Sequence, residues 1–135
     1  MRQVDSRGQH KRWQIESFAF VLKRFIAEAA EERPLQIVDF GCGSGGLILP
    51  LAYLFPSCHF TGVEMKPAAL AILRQRATAA GLTNVSTFTG MIESFEQPFD
   101  VGLALHACGN ATDAAMIRCQ QHRAAYIVSG MEWRT

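Results

Sequence analysis

Two carboxylates and a run of glycines carry the most chemistry in this chain. The stretch "VDFGCGSGG" sets Asp39 directly ahead of Gly41, Gly43, Gly45 and Gly46, and Glu64 follows about 20 residues later. Glycine in regular structure costs about 0.5–1 kcal/mol relative to alanine, so such a cluster marks backbone that something approaches closely. Two patterns overlap here. Gly41, Gly43 and Gly46 fit G-x-G-x-x-G, the turn that brings backbone against a dinucleotide's pyrophosphate. Asp39, Gly41, Gly43 and Gly45 fit D-x-G-x-G-x-G. A fixed anion at Asp39 suits a ligand with a cationic amino group and repels a pyrophosphate. Its other available role is to tie the loop down by accepting backbone N–H bonds. Glu64 has the placement to accept hydrogen bonds from both hydroxyls of a ribose, or to pair at the surface with Lys66.

The elements that must position these groups follow from hydrophobic period and punctuation. Ile15, Phe18, Val21, Leu22, Phe25 and Ala29 mark one face of a helix over about residues 11–32, stopped by Pro34. "LQIVDF" reads as a strand buried on both faces, and the glycine loop hands it to "LILPLAYLF", a helix with Pro50 in its first turn. "CHFTGVE" is a second strand. Pro67 then opens an alanine-rich helix that ends at Gly81. "VSTFTG" and "FDVGLALH" are strands three and four, Thr112 or Asp113 caps a helix through about Gln121, and "AAYIVS" is strand five. Strands alternating with helices imply right-handed crossovers and a mainly parallel sheet. With no linker and no internal repeat, the chain reads as one doubly wound α/β domain over residues 1–135.

The bulk numbers exclude several classes. Thirteen basic and 12 acidic residues give a net charge of +1, too little for a global field that gathers nucleic acid or a membrane surface. Arg2, Arg7, Lys11 and Arg12 form a local basic excess beside Asp5, which reads as a solvated N-terminus or as a phosphate contact. No apolar stretch is long enough to span a bilayer, so no membrane partner is expected. The four cysteines, Cys42, Cys58, Cys108 and Cys119, have no C-x-x-C spacing and sit in or beside apolar segments, which suits reduced thiols in the cytoplasm. Cys119 and His122 are too few ligands for zinc, and no metal is expected.

"VDFGCGSGG" followed by "TGVEMK" resembles the first two motifs of class I S-adenosylmethionine-dependent methyltransferases, and the resemblance runs from about Arg12 to Ser129. It implies a Rossmann-like fold of strand order 3-2-1-4-5 with S-adenosyl-L-methionine as cofactor. Gly41, Gly43 and Gly45 would wrap its methionine part, Glu64 would hold the ribose, Met65 would lie against the adenine, and Gly90, Met91 and Ile92 would supply the other face. "LALHACGNATD" is similar to a narrower branch that holds the methyltransferase domain of glutathione S-transferase C-terminal domain-containing proteins and eukaryotic tRNA ribose methyltransferases. That likeness places His106, Cys108, Asn110 and Asp113 near the transferred methyl group. His106 then reads as a general base or as a backbone hydrogen-bonding partner at the strand end.

The branch continues from strand five through a proline and paired cysteines into further strands, whereas here "GMEWRT" follows Ser129. The fold is therefore expected to stop after strand five, leaving an open apolar edge prone to self-association. The leading functional expectation is a methyltransferase domain with an unknown acceptor, RNA among the possibilities. A non-catalytic cofactor-binding or interaction module is the alternative, and an NAD-dependent enzyme the third reading.

Overall fold

A computed structural model describes residues 6–29, 33–105, 110–128 and 131–133 of the chain. Helix α1 (Ser6–Glu28) leads into β1 (Gln36–Phe40), followed by α2 (Ile48–Leu54), β2 (His59–Glu64), α3 (Pro67–Ala79) and β3 (Val85–Thr89). A short 3-10 turn (Ile92–Ser94) leads to β4 (Val101–Ala104), α4 (Asn110–Gln121), β5 (Ala125–Val128) and β6 (Met131–Trp133). The sheet order is β3-β2-β1-β4-β5-β6, with the first five strands parallel.

β6 corrects the expected open edge. It pairs antiparallel with β5, Val128 opposite Met131 and Tyr126 opposite Trp133. Two residues link the paired positions, the length of a tight hairpin. Such a hairpin satisfies ladder groups on β5 without the long crossover that another parallel strand would need.

Helix limits also move. α1 begins at Ser6 and ends at Glu28, earlier at both ends than the expected 11–32. α4 begins at Asn110, so Thr112 and Asp113 lie in its first turn instead of capping it. A negative Asp113 there favours the helix through the macrodipole. α3 matches its punctuation: Pro67 is its first residue, and Lys66 ahead of it is extended, as a residue before proline prefers. At its end Gly81 takes φ +69°, with Leu82 N–H bonding the Ala77 carbonyl at 2.9 Å and Gly81 N–H bonding Thr78 at 3.0 Å. This is a Schellman closure, which needs the left-handed conformation that glycine tolerates.

Strand alternation divides the core into two layers. Ile37, Phe60, Leu103 and Ile127 face α1, α2 and α3, meeting Phe18, Leu22, Leu51 and Leu73. Val38, Phe40, Val63 and Tyr126 face the opposite side, meeting Phe95, Phe99 and, from α4, Ala115 and Cys119. Phe18 and Leu22 of α1 are fully buried, while Phe25, on the same expected face, is only partly so. Asn84 binds the α2–β2 connection to the start of β3, its side-chain amide donating to the carbonyls of Ala52, Phe55 and Cys58 at 3.0–3.2 Å.

Candidate functional site

The parallel strands all point their carboxyl ends to one side, and the order reverses between β1 and β4, where open α/β sheets form a ligand crevice. Asp39 stands one residue before the end of β1 and is 2% exposed. Burial, and then the Glu64 carboxylate, push its carboxyl up to about 8. Among the described residues no donor bonds it. The loop's first amides, of Gly41 and Cys42, bond instead to the Val63 carbonyl of β2, at 2.8 and 3.2 Å. Among the described residues Asp39 therefore neither anchors the loop nor meets a counterion.

The glycines after it do different work. Gly41, Gly43 and Gly45 all have positive φ, of 74°, 56° and 98°. A side chain on Gly41 or Gly43 would meet no protein atom within 4 Å, so both look onto open space that a Cβ would fill. At Gly45 a Cβ would strike Leu49 at 2.8 Å and Leu73 at 3.1 Å, so this glycine lets the loop pack on α2 and α3. Arg76 of α3 holds the loop from outside, donating to the Ser44 carbonyl and hydroxyl at 3.3 Å.

A cleft of about 790 Å³ opens beside the loop, lined by Gly41, Glu64, Met65, Gly90, Met91 and Ile92. All six of these were named from the sequence, and the fold brings them to one cleft. Asp39, Gly43 and Gly45 lie outside that lining. Met65 and Met91 are 64% and 51% exposed, unusual for large apolar side chains unless a flat ligand covers them. No Glu64–Lys66 ion pair is found among the described residues. Val63, Lys66, Pro67, Ala68, Glu93 and Ala114 complete the lining and were not foreseen. Glu93 and Ala114 arrive through a tertiary contact, Arg118 of α4 donating to the Glu93 carbonyl, which leaves no local sequence signal.

His106 and Cys108 lie outside the described residues, and Asn110 is placed only as the start of α4. The thiols that are described are unsuited to nucleophilic work. Burial raises Cys42 and Cys58, the Asp39 and Glu64 carboxylates raise Cys42 further, and burial pushes Cys119 up to about 12. His122 packs tilted against Phe99 with ring centroids 4.9 Å apart. Among the described residues no three His, Cys, Asp or Glu side chains gather as metal ligands, and no helix is long and apolar enough to cross a membrane.

The arrangement suits a ligand with an ammonium, a ribose and a flat apolar ring, and the comparisons agree. Residues 10–130 match the family model of a methyltransferase domain. The mouse (Mus musculus) glutathione S-transferase C-terminal domain-containing protein is 40% identical over 92 residues, covering 68% of this chain and 14% of that protein. The Drosophila melanogaster homolog is 33% identical over 121 residues, covering 90% of this chain and 20% of that protein. The chain thus spans no more than a fifth of the length of these relatives. Coclaurine N-methyltransferase bound to N-methylheliamine and SAH superposes with a TM-score of 0.73 at 13% identity, covering 95% of this chain and 37% of that one. Magnesium protoporphyrin IX methyltransferase from Synechocystis PCC 6803 with bound SAM gives 0.69 at 18% identity, covering 95% and 64%. These two share the Rossmann-like fold. The family's cofactor is S-adenosylmethionine, and the buried Asp39 carboxyl, the open cradle at Gly41 and Gly43, and Glu64 fit it. On its sequence match and its architecture, the chain belongs to this methyltransferase domain family.

Proposed function

We propose that this domain binds S-adenosylmethionine across the carboxyl ends of β1, β2 and β3 and transfers its methyl group to an acceptor at the β4 side. The observation that carries this reading is the 790 Å³ cleft where Gly41, Glu64, Met65, Met91 and Ile92 converge from three successive strand ends. In it Glu64 accepts from the ribose hydroxyls, while Met65 on one side and Met91 and Ile92 on the other cover the adenine. Asp39 takes the ammonium of the methionine part, losing its proton as the cation replaces lost water. The cofactor's sulfonium supplies the reactivity, so the chain's own task is alignment and exclusion of water. His106, in the segment after β4, is the candidate for taking the acceptor's proton.

RNA is the first acceptor class to assay, because "LALHACGNATD" resembles the tRNA ribose methyltransferases. Protein and small-molecule pools are the other arms. Calorimetry with S-adenosylhomocysteine tests the cofactor site: Asp39→Ala and Glu64→Ala should each weaken binding by about 1–3 kcal/mol. Gly43→Val should abolish it, since its side chain would enter the open cradle. Unchanged affinity in both carboxylate variants would sink the assignment. Transfer of labelled methyl groups into the three pools then separates an enzyme from a cofactor-binding module.

A further inference from the structure

The cofactor cleft does not end where the adenine is assigned. Glu93 and Ala114, two of its lining residues, also line a second space of about 410 Å³ between the 3-10 turn and α4. Asp113, Ile117, Arg118 and Gln121 of α4 complete that groove. The turn is tied to the helix across it, since the Arg118 guanidinium donates to the Glu93 carbonyl. Ala114 and Ile117, one helical turn apart, share a face of α4 and give the groove an apolar floor. Ile117 is half exposed although it is a large apolar residue.

The shape of adenine fixes what lies at the junction of the two spaces. Met65 covers one face of the ring, Met91 and Ile92 the other, and Glu64 holds the ribose. The edge that remains is the one away from the sugar, which carries the exocyclic amine. Glu93 and Ala114, next in the lining after Ile92, are left to border it. Ala114 offers only a methyl group there, and the lining runs past both residues into the groove. Two carboxylates against one guanidinium leave the groove slightly negative, so an uncharged group suits it better than an anionic one.

We infer that this groove is a specificity subsite of the cofactor cleft, admitting an apolar substituent on the adenine's exocyclic amine and seating it on Ile117. The inference rests on the cofactor assignment above and adds to it which ligands of that class the cleft accepts.

The test compares two ligands by calorimetry: S-adenosylhomocysteine and the analogue with a benzyl group on its exocyclic amine. The unaltered chain should bind the analogue no more than about threefold more weakly than S-adenosylhomocysteine. Ile117 lies outside the cofactor cleft's lining. Ile117→Asn, which takes away the apolar floor, should weaken the analogue about fivefold and leave S-adenosylhomocysteine unchanged. Ile117→Leu keeps the volume and the apolar surface, so it should bind both ligands as the unaltered chain does and separates loss of the floor from loss of fold. A larger penalty for the analogue on the unaltered chain overturns the subsite while leaving the cofactor assignment standing. Equal loss on both ligands in the Ile117→Asn variant, or loss on neither, does the same. Failure of the unaltered chain to bind S-adenosylhomocysteine at all overturns both.

Discussion

The two faces of the sheet are packed by different means. The face under α1, α2 and α3 is filled mostly with aliphatic side chains, Leu22, Ile48, Leu51, Leu70 and Leu73 among them. The other face has α4 as its only described helix and is filled by aromatic rings. Phe95 meets Phe40, Phe88 and Phe99 at centroid distances of 5.3–6.2 Å, two of the three contacts edge-on. Both layers reach close packing, one by interdigitated branched side chains and one by rings meeting edge to face. The loop that frames the cofactor cleft rests on the aliphatic face, where Gly45 sits against Leu49 and Leu73. The glycine loop thus leans on the aliphatic layer, while Ile92 and Ala114, on the α4 side, close the cleft from the other.

Phe95→Ala should break the aromatic layer most severely, costing roughly 3–5 kcal/mol in denaturant unfolding. Phe18→Ala on the opposite face, also fully buried, falls in the same range of roughly 3–5 kcal/mol. A loss well under 1 kcal/mol at either position would show that its layer is not closed. Each face also has a strand glycine seated under a cysteine sulfur, Gly62 under Cys42 and Gly102 under Cys119. Gly62→Ala and Gly102→Ala should each cost about 1–3 kcal/mol by overpacking. Adding Cys42→Ala or Cys119→Ala to its own partner should recover part of that loss, and adding the other cysteine's change should recover none.

Asp39 sharpens the comparison through pH. Its carboxyl titrates near 3.8 when the chain is unfolded and at about 8 when folded without ligand. Between those values the unfolded chain has released a proton that the folded chain still holds, so this residue's contribution falls as pH rises through the window. Asp39→Asn should gain stability over the unaltered chain as pH rises from about 4 to about 8, read as the widening gap between their melting temperatures. A gap that does not change with pH would mean the carboxyl is already ionised in the fold. The smallest effect belongs to Arg33→Ala at the opposite end of the sheet. Arg33 makes two hydrogen bonds of 2.7 and 2.8 Å to Asp100, but its side chain is half exposed, and the loss should stay below about 1 kcal/mol and shrink further in salt.

Much of the frame was legible because it is written in local patterns. Pro67 and Gly81 bound α3, and the apolar runs located the five parallel strands, whose alternation with helices implied the crossovers. The strand-end positions of Asp39 and Glu64 were legible as well, because the apolar runs that mark β1 and β2 stop at or beside them. What escaped depended on contacts distant in sequence. β6 is three residues long and exists only against β5, so no periodicity marks it. The first turn of α1 is polar and gave no apolar face to count. The glycines of the loop looked alike in sequence, yet Gly45 makes room for leucines, Gly46 for Lys11, and Gly41 and Gly43 look onto open space. Only the neighbours distinguish them.

The strand order has a consequence for how the chain is made. β1 lies at the centre of the sheet with β2 on one side and β4 on the other. As the chain leaves the ribosome, α1 through β3 can wind together at once, since each crossover joins neighbouring strands. β1 then presents a bare apolar edge until Val101–Ala104 emerges to pair with Ile37–Asp39. At about 5–20 residues per second that edge waits for about 1–3 seconds. During this interval the half-sheet carries unpaired strand groups in the open, and a pause in translation between β3 and β4 would lengthen their exposure.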